Sequence, residues 1–236
     1  MNVEKLSKRL SSVALFIPEG AKLADIGSDH AYLPCHVVKA GKVPYAVAGE
    51  VVEGPYLSAK KQVETEGLTG TIDVRKGNGL EVIAPGEVDC ITIAGMGGAL
   101  IASILEEGKI KLEGVKRLVL QPNISAISIR LWLLENGWSL VNEAILEEDG
   151  KIYEILVAEI GDSKAAYTGN MEWELLLGPY LSKEKNSAFI QKWTLEQKNW
   201  QRILDQMAQS SQTEENIEKT KDLEKKILMV KEVLES

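Results

Sequence analysis

Leu23-Ala-Asp-Ile-Gly-Ser-Asp-His30 is a short apolar run that breaks into an acid and a glycine. The run reads as a buried strand, and the residues just after it as the corner where a strand hands over to a helix. In a parallel sheet that corner lies at the carboxyl edge, where α/β proteins bind nucleotide-like ligands because glycine lets the backbone approach closely. A pyrophosphate-binding corner carries two further glycines. Asp29 and Tyr32 stand in their places here, and an acid facing a phosphate repels it. Asp25 and Asp29 suit a ligand with a cationic amino-acid tail better. Asp29 also reads as a cap for the next helix, and both readings stand.

The flanking sequence supplies the rest of such a sheet. Lys22–Ile26, Tyr45–Val51, Thr71–Val74, Val88–Ala94 and Arg117–Leu120 read as strands, separated by helical stretches such as Pro55–Glu66, Ala99–Glu107 and Ala126–Asn136. An amphipathic helix opens the chain, with Leu6, Leu10, Val13 and Ile17 on one face before Pro18-Glu-Gly20 ends it. Strands alternating with helices imply a parallel sheet covered on both faces. The rhythm then changes: Trp138–Glu147 and Lys151–Ile160 are parted only by Asp149-Gly150, which predicts a hairpin. The expected fold is therefore α/β, a doubly wound, Rossmann-like sheet of the class I methyltransferase layout with a terminal β-hairpin. Beyond Asp162, Phe189, Trp193, Trp200, Ile203 and Met207, then Leu223, Ile227, Val230 and Leu234, recur at helical spacing. They predict an antiparallel, coiled-coil-like helix pair broken at Ser210-Ser-Gln-Thr213, with Thr213 as N-cap and the tryptophans as the pair's own core. The expected division is 1–161 and 162–236, with the first part folding alone.

The other strand ends repeat the signal of the first. Glu50 closes the second strand 25 residues after Asp25, near the spacing at which an acid accepts ribose hydroxyls. Arg75-Lys-Gly-Asn-Gly79 comes after the third, where Asn78 is placed to meet an adenine edge or to form a mere turn. Ala94-Gly-Met-Gly-Gly98 ends the fourth, leaving room for something bulky beside the soft Met96 side chain, and Leu120-Gln-Pro-Asn123 brings amides to the fifth. S-adenosylmethionine, with its cationic tail and adenosyl group, fits this set. The spacings of His30, His36, Cys35 and Cys90 make no metal set, and neither a nucleophile elbow nor a phosphate-binding lysine loop is written in the chain.

Net charge is -8, from 27 basic against 35 acidic residues, which counts against a protein that coats nucleic acid nonspecifically. Local clusters remain: Lys5, Lys8 and Arg9; Lys60 and Lys61; Arg75 and Lys76; Lys116 and Arg117. Two cysteines in 236 residues form no disulfide framework. With no apolar leader and no run of membrane-spanning length, the expectation is a monomeric protein of the reducing cytoplasm.

Leu6-Ser-Lys-Arg-Leu10, Ala24-Asp-Ile-Gly-Ser-Asp-His-Ala-Tyr-Leu-Pro34, Ile91-Thr-Ile-Ala-Gly-Met-Gly-Gly-Ala-Leu-Ile101 and Leu120-Gln-Pro-Asn123 resemble the bacterial tRNA (adenine-22-N1)-methyltransferase family. Where that family often has an acid between two glycines, this chain has Asn78. The resemblance implies methyl transfer from S-adenosylmethionine to N1 of a D-arm adenine in tRNA. The acids and glycines at successive strand ends assign the cofactor to a crevice of Asp25, Gly27, Ser28, Asp29, His30, Glu50, Asn78, Gly95, Met96 and Gly97. Asp29, Gln121 and Asn123 become the candidates for catalysis, and Lys5, Lys8, Arg9 and Tyr32 for holding tRNA, with Tyr56 as a second ring for the displaced base. A small-molecule methyltransferase and a non-catalytic scaffold are the competing readings.

Overall fold

A computed structural model describes residues 2–208 and 213–235. Five strands, β1 (Lys22–Ile26), β2 (Tyr45–Glu50), β3 (Ile72–Lys76), β4 (Cys90–Gly97) and β5 (Arg117–Ile124), run parallel. β6 (Trp138–Glu148) and β7 (Lys151–Ile160) complete a seven-stranded sheet of order β3-β2-β1-β4-β5-β7-β6, with β7 antiparallel to both neighbours. The central strands are buried almost end to end, as unbroken apolar runs must be when helices cover both faces. α1 (Lys8–Phe16), α2 (Tyr32–Lys39) and α3 (Glu53–Thr65) cover one face, α4 (Gly98–Glu107) and α5 (Ala126–Glu135) the other.

Each expected strand is present, and the differences are local. Ser7 caps α1 by accepting from the Leu10 N–H, so the helix starts two residues after Leu6. Asp149 and Gly150 both have positive φ, 52° and 74°, the paired left-handed conformation of a two-residue hairpin turn. β4 runs three residues past Ala94, because its ladder with β5 continues through register shifts between Ala94, Met96 and Gly97. Cys35 and Cys90 are both buried and unpaired. Among the described residues no helix is long and apolar enough to cross a membrane.

The tail holds two elements the periodicity did not predict, α6 (Met171–Leu177) and α7 (Leu181–Glu184), ahead of the long helices α8 (Ser187–Met207) and α9 (Glu214–Glu235). Both are too short to show a repeat, although Asn170, which accepts from Glu172 and Trp173 N–H groups, is a legible cap. Met229 and Val230 of α9 share a core with Ala188, Phe189 and Trp193 of α8, so the end of one helix packs on the start of the other and the pair is antiparallel. Ile203, Ile217 and Leu228 stay exposed, while Trp193, Trp200, Leu204 and Met207 of α8 and Leu223, Ile227, Val230 and Leu234 of α9 are buried or half-buried at the three- and four-residue spacing of a helix-pair face. Of the expected break, Ser210-Ser-Gln lies outside the described residues, and Thr213 caps α9 by accepting from the Asn216 N–H at 3.2 Å.

The tryptophan stripe is not the helix pair's private core. Ile145 of β6 belongs to the same buried cluster, with Ile152 of β7 packed against it. Beneath it lies Arg130 of α5, fully buried, pairing with Glu143 of β6 at 2.6 Å and Glu154 of β7 at 2.7 Å. Arg130 also donates to the Leu175 and Leu176 carbonyls of α6, and Lys192 of α8 pairs with Glu154. Burial pushes the Glu154 carboxyl up, but Lys192 and Arg130 together hold it below the ordinary range; burial wins at Glu143, which is raised despite Arg130.

Removing one member of such a network leaves charge buried without a partner. Arg130→Met should therefore cost about 3–5 kcal/mol of unfolding free energy in urea titration. A chain ending at Gly161 loses Lys192 and the α6 carbonyls and uncovers Ile145, so its urea midpoint should fall well below that of the full chain. An unchanged midpoint would show that residues 1–161 fold independently of the helices.

Candidate functional site

The site forms where β1, β2, β4 and β5 end. Gly27 sits at φ 71°, its N–H donating to the Gly49 carbonyl of β2 at 2.9 Å, and a Cβ there would stand 2.1 Å from the Met96 methyl. The backbone strains any side chain there, and one would also have to displace the Met96 methyl. Asp29 and Ala31 also take positive φ, 55° and 54°, so the loop between β1 and α2 is held in a conformation that side-chain-bearing residues seldom adopt.

Asp25 is not the open ligand the sequence suggested. It is 4% exposed, with Oδ2 accepting from the Ser28 hydroxyl and Oδ1 from the Thr92 hydroxyl, both at 2.6 Å. Burial pushes its carboxyl up, and these hydrogen bonds and the Arg9 charge offset that in part. Asp25 and Ser28 thus brace the corner from beneath, while Asp29 turns the loop's other carboxylate toward solvent. Thr92 was missed because a threonine in a strand reads as ordinary β filler.

Glu50 closes β2 and accepts from the Asp29 N–H, which ties β2 to the loop. Its carboxyl is also raised by burial, partly offset by that N–H. Directly after it Val51 and Val52 stand exposed, an apolar surface that the sequence reading passed over. Asn78 is exposed beyond β3, its N–H donating to Glu81 at 3.1 Å in a short 3-10 turn. His30 stacks on Tyr32, centroids 5.3 Å apart, as a ledge beside Asp29. Tyr56 lies on α3 with Lys60 above its ring.

The β4–β5 edge is built around Gln121, which is fully buried. Its Oε1 accepts from Gly95 N–H at 3.0 Å and from Arg9 Nη1, and its Nε2 donates to the Pro122 carbonyl at 2.8 Å. With its amide taken up, Gln121 is a positioning residue, a correction to its candidacy as a catalytic group. Asn123 is exposed, donating to the Gly95 carbonyl at 2.8 Å. Arg9 is corrected too: its guanidinium turns inward to Gln121 and over the Tyr153 ring. Lys8 donates from Nζ to the Glu147 carbonyl, and Lys5 is exposed. Arg75, Lys76 and Arg117 are paired with Glu87, Glu53 and Glu159 and offer little free charge.

A glycine floor, a soft methyl at Met96, an acid at the end of β2 and an apolar step at Val51 and Val52 fit the sulfonium, ribose and adenine of S-adenosylmethionine. With the antiparallel β7 inserted between β5 and β6, they define an S-adenosylmethionine-dependent methyltransferase of the class I fold. The family model described as tRNA (adenine(22)-N(1))-methyltransferase matches residues 23–232. The tRNA (adenine(22)-N(1))-methyltransferase of Bacillus subtilis (strain 168) is 57% identical over 236 residues, covering 100% of this chain and 99% of the relative. The crystal structure of the B. subtilis m1A22 tRNA methyltransferase TrmK matches with a TM-score of 0.95 at 56% identity, over 98% of this chain and 99% of that one. Streptococcus pneumoniae Sp1610, in complex with S-adenosyl-L-methionine, matches at TM-score 0.87 and 47% identity, over 98% of this chain and 100% of that one. The chain belongs to the tRNA (adenine(22)-N(1))-methyltransferase family.

Raised carboxyls take up protons at higher pH than exposed ones, so cofactor affinity should decline on acidification earlier than an ordinary glutamate would cause. Glu50→Ala should weaken S-adenosylmethionine binding by about tenfold to a hundredfold, the worth of hydrogen bonds to a charged group, and remove part of that pH dependence. Calorimetry from about pH 8 down to about pH 5 reads both; unchanged affinity in the variant would place the ribose elsewhere.

Proposed function

We propose that this chain methylates N1 of adenine 22 in tRNA, with residues 1–161 holding the cofactor and the reacting base and residues 162–236 adding grip on the substrate. The observation that carries the reading is the clasp of Gln121, Asn123 and Gly95, which holds open a glycine-lined edge immediately beside the Gly27 and Glu50 crevice. A small-molecule enzyme has no use for a helical arm bonded into the edge of the sheet, and a scaffold has none for an acid kept buried at β2. Bound S-adenosylmethionine supplies the methyl group.

In this reading the residues divide the work. Glu50 accepts the ribose hydroxyls, Val51 and Val52 back the adenine beside Asn78, and Gly27, Met96 and Gly97 leave room at the reacting end. Asp29 is the exposed acid for the cofactor's cationic tail or for the exocyclic amine of the target base. His30 and Tyr32 offer it a stacking ledge. Adenine N1 lies on the pairing edge, so the base must be unpaired or turned out before it reacts. Its lone pair is free, and the methylated ring can remain cationic, so no strong general base is needed. Positioning supplies most of the rate, and Asn123 and Asp29 orient the base and face the developing charge.

Incubation with labelled cofactor and bulk tRNA, digested to nucleosides, should yield 1-methyladenosine, and a transcript with guanine at position 22 should accept no label. Label in any other nucleoside would overturn the assignment. Lys5 and Lys8 are the phosphate contacts available beside the site, so affinity for tRNA should fall with salt at a log–log slope of roughly 0.7–0.9 per contact. Lys5→Glu with Lys8→Glu should flatten that slope by about 1–2; Arg9 is spared in this test because reversing it would disturb Gln121. An unchanged slope would put the backbone contacts on another face.

A further inference from the structure

A cleft of about 400 Å³ lies between the corner where β5 passes into α5 and the side of α8. Its volume is that of a pocket for one small ligand. One wall is Asn123, the residue whose amide donates to Gly95 at the reacting edge, so the cleft begins where that edge ends. On the opposite side are Trp193 and Trp200, ring centroids 6.2 Å apart and tilted by 52°. Trp193 is 3% exposed and its indole N–H has no acceptor among the described residues, although buried indole donors ordinarily find one. Glu196 and Asn199, one turn apart on α8, line the same space, and their side chains make no hydrogen bond or ion pair among the described residues.

The charge in the cleft decides what enters. Lys192 lines it too, but its ammonium is held by Glu154 and lies over the Trp193 ring at 4.7 Å from the centroid. With its one cation neutralised and an unpaired carboxylate at Glu196, the cleft repels phosphate. It offers ring surface, an amide and an acid, which is the complement of a flat heteroaromatic ring bearing a carbonyl next to an amine.

We propose that this cleft receives an unpaired tRNA base close in sequence to the reacting adenine, one with the carbonyl and amine edge of guanine or cytosine. The proposal rests on the reading of tRNA as the substrate. The base stacks against Trp200, its carbonyl accepts from the Asn199 amide, and Glu196 takes its amino edge. Turning adenine 22 out of its stack strains its neighbours in the chain, and a second pocket one wall away holds one of them outside the helix. The helical arm thereby acts as part of the substrate-reading surface, through a base rather than through the backbone.

Glu196→Ala with Asn199→Ala tests this, since both side chains lack partners and alanine favours a helix. With intact tRNA, kcat/KM should fall about tenfold through KM, the scale of losing one base contact, while kcat, cofactor affinity and melting temperature stay as in the unmodified protein. Transcripts carrying a single abasic residue at each unpaired position within three nucleotides of adenine 22 identify the occupant. One of them should cost the unmodified protein a similar factor and cost the variant nothing more. A variant within twofold of the unmodified protein on intact tRNA overturns the proposal, as do abasic losses that are equal in both proteins at every position. If the unmodified protein methylates no tRNA at all, the reading of the substrate fails first and takes the cleft with it.

Discussion

Between Ala94 and Gly97 the ladder joining β4 to β5 slips its register, and the Gln121 amide takes over the hydrogen bonding that the ladder gives up. A bulge in a sheet interior leaves backbone groups without strand partners. Here Gly95 N–H goes to Gln121 and Gly95 C=O receives Asn123, so both are satisfied. The same Gln121 oxygen holds Arg9, drawing the start of α1 over the strand tips, while Glu148 at the hairpin end accepts the Lys8 and Arg9 N–H groups. One buried amide thus sets the opening of the site, the aim of Asn123 and the seat of the N-terminal helix.

A second constraint links that edge to the arm. Arg130 lies on α5, which begins directly after the β5 tip, and its partners are on β6, β7 and α6, with Lys192 of α8 completing the charge. Buried pairs of this kind add little net stability compared with apolar packing, but they are costly to break singly. Their effect is to fix geometry: the cleft between β5 and α8 has walls whose separation cannot drift without stripping charge of its partners. The arm is an extension of the sheet's last hairpin, and a division of labour between the two parts of the chain is compatible with one shared core.

The same distinction explains what could be read from the chain. Strands, hairpin and long helices were legible because burial imposes period and glycine marks corners, as at Gly27 and at Asp149-Gly150. What escaped depended on partners remote in sequence. Arg130 looks like any helical cation until Glu143 and Glu154 arrive from the hairpin after it, and Arg9 looks like a phosphate ligand until Gln121 is seen, 112 residues away. Asp25 kept its place but not its exposure, since Thr92 comes from a neighbouring strand that alignment of β1 with β4 brings alongside. Position along an element is a local property; the direction in which a charge is spent is not.

That difference also bears on how an acidic protein meets an anionic substrate. Arg75, Lys76, Arg117, Arg130 and Lys192 are all engaged with carboxylates of this chain. Counting them as free cations overstates the protein's basic surface, and counting their partners as free acids overstates its repulsion by the same amount. The net charge of -8 then falls on groups away from these pairs, and its effect on tRNA depends on distance, because exposed charges beyond about 8–10 Å are screened at physiological salt. In the proposed function, Lys5 and Lys8 at the rim are the cations that face phosphate. On the readings proposed above, these lysines and the unpaired acid of the α8 cleft separate places for backbone from places for bases, without any overall positive field.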